Sequence, residues 1–525
     1  MFCCMASNLL KGKPMPITSI RAHFLGLLIS ASTATQPPTL STSAEPTLLL
    51  SSNSDDFSSD VGKSKKKILD LVRKGVVIID VQTYANVQAN ERVSWAGSGF
   101  IVDKDRGILA TNKHVAGDMT VSTYTVKFAD GSSAEAHRLP MATLGDYAFL
   151  KVAPDKLPKT AIALEFAKEP IAVNQTIYSM GNSARDEFST FKGTVYSIYE
   201  NLGPYGEQSF SFSGLTVGGA SGSPIFDENG KVVGIVYGGK FTSGSGLPAS
   251  YLIDALEMVK EGKQPQVWST GAVPGYGIVS DYEKAGILPK DAIEKYKEKF
   301  PDSHNKIAVI QGTVKGTKAS ELLEAGDLIW SVNGEMVGPN LYQFEKTINK
   351  SNGAEITLEV YRDGKLIEVK LPSYVLSSAP YEKFVSFADT TWFGNNEFVN
   401  YIFGENEPGV FILGMGQTSP FKSLVNHENF GFPHFLSSRL IAIRALDNKQ
   451  IKSLEDLQKV IPELAKKKTF AIRYVDYSGS MGLGRFSSMD RQERMAIITY
   501  EGKFDSPKLY TFNEKTLEWD SKEIE

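Results

Sequence analysis

The sequence predicts a mainly β protein, in which an antiparallel sandwich or barrel pair is followed by two smaller α+β modules. Short runs rich in β-branched and aromatic residues, bounded by Gly, Asp or Asn, recur over about 170 residues with few helical patterns between them. The second half repeats one order of strand and helix patterns about 100 residues apart. The length of 525 residues agrees with three or four domains of ordinary size.

Composition narrows the class of protein. A hydrophobic content of 42% with 22% charged residues is typical of globular domains, so wholesale disorder is excluded. The net charge of −4 gives no electrostatic reason to expect a nucleic-acid partner. Beyond the N-terminus no long apolar run is present, which excludes a polytopic membrane protein. Both cysteines, Cys3 and Cys4, lie at the N-terminus, so the body of the chain has no thiol chemistry, and we expect no metal or other cofactor.

Residues 1–35 are expected to be a targeting segment that is removed from the mature chain. Basic residues, an apolar run and small residues occur in the order of a secretory signal: Lys11, Lys13 and Arg21, then Phe24–Ile29, then Ser32, Thr33 and Ala34. We therefore expect export to a periplasm, with no stable membrane span after removal of the leader. The Ser and Thr content and the lack of acids before Glu45 leave a transit peptide into an organelle lumen as the alternative. Either Met1 or Met15 can be the start, and residues 36–64 are expected to be a flexible Ser/Thr/Pro-rich spacer.

Residues 65–265 are expected to form the first domain, in which short strands dominate. A helical spacing of apolar residues over Ile68–Val72 ends at Gly75, and Asp130-Gly131 is a hairpin turn signal. Strands are predicted at Val76–Val81, Ser98–Val102, Gly107–Thr111, Tyr124–Phe128, Ala148–Val152, Thr176–Met180, Phe191–Ser197, Phe210–Phe212, Ser223–Phe226 and Val232–Val236.

Three polar residues stand at the ends of these strands. His114 follows the strand that ends at Thr111. Asp146 precedes the strand at residues 148–152, and Ser221 lies in the turn Gly-Gly-Ala-Ser-Gly-Ser-Pro. The order His, Asp, Ser, with spacings of 32 and 75 residues, is that of chymotrypsin-like proteases and differs from the subtilisin and α/β-hydrolase orders.

These residue types suit acyl transfer to a serine. A serine hydroxyl is a poor nucleophile at neutral pH, and His114 can take its proton and return it to the leaving amine. Asp146 would hold the imidazole tautomer and stabilise the imidazolium. Glycines before the serine allow a turn whose N–H groups face the developing oxyanion, and the expected oxyanion hole is Gly219, Ala220 and Ser221.

Four segments of the chain resemble the HtrA (Deg, protease Do) family of trypsin-like serine proteases. They are Gly97–Asp103 (GSGFIVD), Thr111–Val115 (TNKHV), Asp146–Lys151 (DYAFLK) and Gly244–Ser250 (GSGLPAS). The resemblance implies a chymotrypsin-like double β-barrel followed by PDZ domains, in a homotrimer or a multiple of trimers. One departure is visible, because Ala220 and Ser223 replace Asn and the last Gly of the family motif Gly-Asn-Ser-Gly-Gly-Pro.

By the same resemblance, two segments flank the primary specificity pocket. Their residues are Leu215, Thr216, Val217, Ile235, Val236 and Tyr237. No Asp lies among them, so we expect a small or medium apolar P1 residue rather than Lys or Arg. Tyr237 either limits the depth of the pocket or packs on the surface.

Two C-terminal modules, expected at residues 270–375 and 376–480, resemble PDZ domains. The stretch Ala325–Gly334 (AGDLIWSVNG) is the strong signal in the first module. PDZ domains add a peptide as an extra strand. By resemblance the loop that holds the peptide carboxylate is Gly275, Tyr276, Gly277 and Ile278.

The second module matches this pattern less well. Its predicted elements are strands at Val410–Leu413, Arg439–Ile443 and Phe470–Val475 and a helix at Leu454–Leu464. It is either a peptide-binding module or a packing or oligomerisation module, and exposure of the aromatic-rich stretch Phe384–Phe403 would favour the latter. Residues 481–525 form a polar C-terminal extension without an assignment.

Together these patterns predict an ATP-independent serine endopeptidase that degrades unfolded or damaged proteins, with PDZ domains that select peptides or gate activity. Its partners would be unfolded proteins or peptides, and no Walker motif is present. Two alternatives stay open: a non-catalytic or dual-function holding chaperone or PDZ scaffold, and a regulatory protease that cuts one signalling substrate.

Overall fold

The computed structural model describes most of the chain from residue 60 onward. The described ranges are 60–85, 94–117, 121–201, 207–214, 216–240, 242–376, 383–395, 409–416, 418–424, 441–476, 493–500, 505–513, 515–516 and 518–525. Helices in these ranges are α1 (Asp60–Arg73), α2 (Lys113–Ala116), α3 (Ala249–Lys260), α4 (Val279–Lys284), α5 (Lys290–Lys299), α6 (Lys318–Leu322), α7 (Leu341–Ser351) and α8 (Leu454–Leu464). None of these described helices is long and apolar enough to cross a membrane.

Two closed six-stranded barrels form the first part of the fold. The first barrel contains β1 (Val76–Ala85), β2 (Ser94–Asp103), β3 (Ile108–Thr111), β4 (Val121–Phe128), β5 (Ser133–Arg138) and β6 (Ala148–Val152). The second contains β7 (Thr176–Ser183), β8 (Asp186–Glu200), β9 (Ser209–Ser213), β10 (Pro224–Phe226), β11 (Val232–Lys240) and β12 (Ser243–Pro248).

Both barrels have the same strand order. The orders are β1-β2-β3-β6-β5-β4 and β7-β8-β9-β12-β11-β10, with antiparallel pairing throughout. The predicted barrel pair is therefore confirmed, and the sandwich alternative is wrong. Closure leaves neither sheet with an exposed edge.

Strand β1 contains the apolar run Val76–Ile79 because both of its faces are buried. Val77, Ile79 and Val81 are buried in the core of the first barrel. Val76 and Ile78 point the other way and are buried in a second core, which also contains residues of α1 and of the second barrel. Because side chains alternate along a strand, burial of both faces requires apolar residues at consecutive positions. Helix α1 begins at Asp60, so residues 60–64, expected in the spacer, belong to this helix.

The first PDZ-like module has a six-stranded antiparallel sheet, a separate two-stranded sheet and four helices. Its strands are β13 (Val267–Ser269), β14 (Ala272–Ile278), β15 (Lys306–Thr313), β16 (Leu328–Val332), β17 (Glu335–Met336), β18 (Ile356–Arg362), β19 (Lys365–Leu371) and β20 (Tyr374–Leu376). The main sheet has the order β14-β15-β16-β18-β19, with β17 beside β16, and β13 pairs separately with β20. Helix α7 packs on this sheet through Leu341, Phe344 and Ile348.

The last sheet includes the C-terminal extension. Its strands are β21 (Lys383–Ser386), β22 (Thr390–Gly394), β23 (Val410–Met415), β24 (Ile441–Leu446), β25 (Lys449–Gln450), β26 (Thr469–Asp476), β27 (Glu493–Thr499), β28 (Lys508–Asn513) and β29 (Glu518–Glu523). The order is β27-β26-β24-β23-β22-β21-β28-β29, with β25 beside β24. Strands β27 to β29 therefore complete the two ends of this sheet, so the extension is part of the module.

Four aromatic residues near the start of this module are core residues, whereas residues 396–403 of the aromatic-rich stretch lie outside the described residues. Phe384, Phe387, Trp392 and Phe393 are each at most 1% exposed. The Phe384 ring stacks on that of Tyr510 at 4.6 Å between centroids. The described aromatics of residues 384–395 thus stabilise the sheet and offer no exposed face for oligomerisation.

Candidate active site

The short helix α2 brings His114 onto Asp146. The Nδ1 atom of His114 lies 2.7 Å from Oδ2 of Asp146, and the His114 main-chain N–H donates to Oδ1 at 3.0 Å. Asp146 is fully buried, and its two carboxylate oxygens both accept from His114. A carboxylate at Nδ1 places the ring proton there, so Nε2 is the nitrogen that can accept a proton.

Contacts with β2 and β3 place the Ser221 turn beside α2. The Ser98 N–H donates to the Ser221 carbonyl at 2.8 Å, and Thr111 Oγ1 donates to the Ser98 carbonyl at 2.7 Å. Gly222 has a φ of +88°, and a Cβ there would lie 1.9 Å from the Ser98 carbonyl oxygen. Only glycine allows this approach, which puts the serine turn against the end of β3, where α2 begins.

The same turn determines which N–H groups can face an oxyanion. The Ala220 N–H donates to the Val217 carbonyl at 3.1 Å, so the structure contradicts Ala220 as an oxyanion donor. Within the described residues, the N–H groups of Gly219 and Ser221 have no acceptor. Gly219 has a φ of +95°, and a Cβ there would lie 2.1 Å from the Asn182 carbonyl. The available pair is therefore Gly219 and Ser221.

Ser98 is a site residue that sequence reasoning missed. Its Oγ donates to the Gly219 carbonyl at 2.8 Å and accepts the Asn182 N–H at 2.8 Å. Its side chain is fully buried between the two barrels. In the sequence, Ser98 is only one residue of the Gly97–Asp103 segment that resembles the HtrA family. That resemblance assigns no role to its side chain. Ser98 therefore holds the carbonyl group of the peptide bond between Gly219 and Ala220. This contact fixes the orientation of the turn.

We expect Ser98→Ala to lower kcat/KM for a peptide substrate about tenfold, because the oxyanion turn loses its hydrogen bond. The buried Asn182 N–H also loses its acceptor, which should cost about 1–3 kcal/mol of unfolding free energy. Ser179→Ala is the matched control, because the Ser179 hydroxyl is equally buried and has no partner within the described residues. Equal kinetics for the two variants would contradict the role of Ser98.

Two more residues hold the main chain of Asp146. Asn112 Nδ2 donates to the Asp146 carbonyl at 2.8 Å. The Asp146 N–H donates to Glu207 Oε1 at 3.1 Å, and Glu207 is 3% exposed. Asn112 is part of the Thr-Asn-Lys-His motif. No sequence motif indicates Glu207, which is 61 residues from Asp146 in the chain.

The expected specificity residues lie beside the site, with one outside the described ranges. Leu215 lies outside them. Thr216 is buried and its hydroxyl donates to the Ser243 carbonyl at 3.3 Å, which joins the segment after β9 to β12. Ile235 and Val236 are buried in two different cores, as alternation along β11 requires, whereas Val217 is half-buried.

Tyr237 is 5% exposed, so it does not pack on the surface. Burial raises the pKa of its hydroxyl, and the carboxylates of Glu207 and Asp146 raise it further. The hydroxyl therefore stays protonated at neutral pH. The role of Tyr237 in limiting the pocket stays a prediction.

The expected carboxylate loop of the first PDZ-like module is a strand. Gly275, Tyr276, Gly277 and Ile278 lie in β14 and pair with residues 306–309 of β15. Beside this strand a narrow cavity of about 60 Å³ is lined by Ala272 and Pro274 of β14 and by Phe344 and Ile348 of α7, and it is closed by Leu144, Gly145 and Tyr147 of the first barrel. One end of the groove between β14 and α7 therefore faces the segment that leads to Asp146.

A half-buried carboxyl group lies in this contact. Tyr251 Oη of α3 donates to Glu345 Oε2 of α7 at 2.7 Å. Burial is the main cause that raises the pKa of Glu345, the Tyr251 hydrogen bond lowers it and the charge of Glu207 raises it, so that the pKa is about 8. Glu345 is therefore mainly protonated at neutral pH.

This pKa predicts a pH-dependent stability. The unfolded chain releases the Glu345 proton near its ordinary pKa of 4.5, whereas the folded chain keeps it until about pH 8. The stabilisation is thus complete below pH 4.5 and is lost as pH rises to about 8, by up to about 4 kcal/mol. We expect Tm to fall across this window in the wild type and less in Glu345→Gln. The control is Glu368→Gln, on an exposed position of β19. Parallel Tm curves for wild type and Glu345→Gln would contradict the prediction.

Comparisons with known proteins identify the class of the first domain. The family described as "Trypsin-like peptidase domain" matches residues 97–235, which include His114, Asp146 and Ser221. The chain is 24% identical over 416 residues to the pro-apoptotic serine protease NMA111 of Vanderwaltozyma polyspora, with 77% of this chain and 40% of that protein covered. It is 26% identical over 320 residues to the PDZ domain-containing protein C23G3.12c of Schizosaccharomyces pombe, with 58% of this chain and 32% of that protein covered. The solved structure titled "HtrA-type protease AlgW with tripeptide" has a TM-score of 0.46 at 17% identity and covers 59% of this chain and 97% of its own.

These findings confirm the predicted class of the first domain, a trypsin-like serine endopeptidase domain. The chain spans less than half the length of these curated relatives. The expected periplasmic location is wrong, because the relatives are fungal proteins and fungi have no bacterial periplasm. Residues 1–35, on which that expectation rested, lie outside the described residues.

Proposed function

Because residues 97–235 are a trypsin-like peptidase domain, we propose that this chain is a serine endopeptidase that hydrolyses unfolded or damaged proteins without ATP. The observation that carries the proposal is the His114–Asp146 pair, in which both carboxylate oxygens accept from one histidine. A cap or a structural histidine would not need both contacts. The nearby Ser221 turn has two N–H groups available, which the chemistry also requires.

We propose the following reaction. Ser221 Oγ attacks the carbonyl carbon of the scissile peptide bond while His114 Nε2 takes its proton. The carbonyl oxygen becomes an oxyanion and accepts from the N–H groups of Gly219 and Ser221. His114 then protonates the departing amine, the C–N bond breaks, and an acyl-enzyme remains. Water, deprotonated by His114, hydrolyses this ester and restores the serine.

Unfolded proteins are the substrate class that we propose. A peptide bond must be extended and exposed to reach a serine that lies between two barrels. Among the expected pocket residues that the structure describes, none is acidic, which supports an apolar P1 residue. We propose that the PDZ-like modules select peptide termini or gate the site, and that the chain assembles as a trimer or a multiple of trimers, which light scattering can test.

Digestion of unfolded casein by the full chain without ATP tests the proposal. We expect peptide products, identified by mass spectrometry, with small or medium apolar residues at P1. A fluorophosphonate should label the chain once, at Ser221. Casein that stays intact across temperatures and with added peptides would contradict the protease, and suppressed aggregation in the same samples would favour the holding chaperone.

A further inference from the structure

We propose that the C-terminal half of the chain positions His114 by holding helix α2 at both of its ends, with Lys113 and Arg138 as the positioning residues. This inference rests on the proposed function, since it assigns a control to the same histidine. It concerns contacts on the His–Asp side of the site, away from the serine turn.

At the first end, the side chain of Lys113 holds the loop that leads to Asp146. Lys113 is fully buried, and its ammonium group donates to the carbonyls of Ala142 at 3.0 Å and Thr143 at 2.9 Å. A buried ammonium needs such acceptors, because burial without them is costly. The position of this loop is therefore linked to the residue that precedes His114.

The C-terminal half fixes the same loop. Thr143 Oγ1 donates to the carbonyl of Leu376 at 2.8 Å, and both residues are 1% exposed. Leu376 ends β20, the last strand of the first PDZ-like module. Movement at the end of this module would thus shift the Thr143 carbonyl that Lys113 contacts.

At the other end, Gly117 closes α2 with a φ of +67°. Arg138 Nη1 donates to the Gly117 carbonyl at 2.7 Å, and Arg138 is buried. The Arg138 guanidinium lies 5.9 Å from the ring centre of Trp519 in β29, within the range of a cation–π contact. Trp519 packs in turn on Phe384 of β21, at 4.9 Å between ring centres.

Helix α2 needs such support because it is short. It has four residues, Lys113–Ala116, and an isolated helix of this length is unstable in water. The Asn112 side chain makes no cap hydrogen bond to it, and the Asn112 Nδ2 donates to the Asp146 carbonyl. A displacement of His114 by about 1 Å can cost about 100-fold in rate. Contacts at both ends therefore matter for the reaction.

The test compares Thr143→Val with Thr143→Ser in the full chain. Valine keeps the shape and removes the donor to Leu376, so we expect kcat to fall about tenfold with KM unchanged. Serine keeps a hydroxyl and should restore kcat. Thr317→Val is the matched control, because it removes a hydroxyl-to-carbonyl hydrogen bond of 2.6 Å within the first PDZ-like module.

A second readout does not depend on catalysis. In the Ser221→Ala background, the low-field proton resonance of the His114–Asp146 hydrogen bond should broaden or shift in Thr143→Val and recover in Thr143→Ser. If the wild type is inactive, the proposed function is contradicted, but this measurement remains valid. If kcat and the resonance in Thr143→Val both match those of Thr317→Val, the inference is overturned.

Trp519→Leu tests the other end of α2. It is also the alternative test of the inference if Thr143→Val does not fold. Loss of the ring should lower kcat about threefold, and Trp519→Phe should retain most of it. The same resonance should respond in the Ser221→Ala background. Wild-type kcat and an unchanged resonance in Trp519→Leu would overturn the role of Arg138.

Discussion

Ser221→Ala is expected to lower casein proteolysis by about 10⁴-fold or more, because removal of a serine nucleophile leaves only the residual effect of binding and the oxyanion hole. The variant should fold normally. Ser221 is half-buried, and the contact that holds its turn is made by its main-chain carbonyl with Ser98. Casein cleavage measures the loss of proteolysis. The intact mass after fluorophosphonate treatment measures the loss of labelling at Ser221.

Ser223→Ala is the matched control for this serine. Ser223 lies two residues further along the same turn, is 1% exposed, and its hydroxyl has no partner within the described residues. We expect near wild-type cleavage in this variant. Substantial cleavage by Ser221→Ala would show that another residue is the nucleophile, whereas loss in both variants would indicate collapse of the turn.

Asp146→Asn should lower kcat by about 10⁴-fold with little change in fold, as expected when the histidine tautomer is wrong. The reason lies in the two contacts of the carboxylate. Both oxygens accept from His114, and an amide can supply only one oxygen. If the amide nitrogen faces Nδ1, the imidazole proton moves to Nε2, which can then no longer take the proton of Ser221.

The control for Asp146→Asn is Asp103→Asn. Asp103, the last residue of β2, also accepts with both carboxylate oxygens from one residue, the Arg106 N–H and the Arg106 guanidinium, each at 2.9 Å, but it lies away from the site. Steady-state kinetics on a chromogenic peptide ester and thermal unfolding separate activity from stability. A loss of less than tenfold in Asp146→Asn would contradict the assigned triad.

The outcomes of these variants also separate the remaining functional alternatives. If Ser221→Ala and Asp146→Asn abolish cleavage but still suppress aggregation of casein, the chain is a protease that also holds unfolded proteins. If cleavage of many unfolded substrates is poor and one sequence is cut efficiently, the regulatory protease is favoured. Neither result depends on the oligomeric state.

Local pattern accounts for much of what the sequence predicted. The apolar run at residues 76–81 and the Gly-bounded segments identified most strands of both barrels, because strand formation depends on residues that are close in the chain. The order of His114, Asp146 and Ser221 indicated the reaction, because its chemistry requires these side chains. Helix α8 has the predicted bounds, Leu454–Leu464.

The failures concern contacts between distant residues. Ser98 and Gly219 are 121 residues apart, and only the packing of the first barrel against the second makes Ser98 a support of the oxyanion turn. The sequence predicts Ala220 as a donor, whereas in the folded turn its N–H donates to the Val217 carbonyl. The extension was unassigned because most residues of β27 are exposed, and this strand forms by pairing with β26 at the edge of the last sheet.

The sequence by itself therefore determined the chemistry of this protein, a serine nucleophile with a histidine base, and the class of fold that presents it. Only the tertiary structure decided which N–H groups form the oxyanion hole, what holds Asp146, and how the C-terminal half reaches α2. The physical reason is that propensity and reactivity belong to individual residues and their chain neighbours. Burial, hydrogen-bond partners and the raised pKa of Glu345 depend on segments brought together only when the barrels and modules pack.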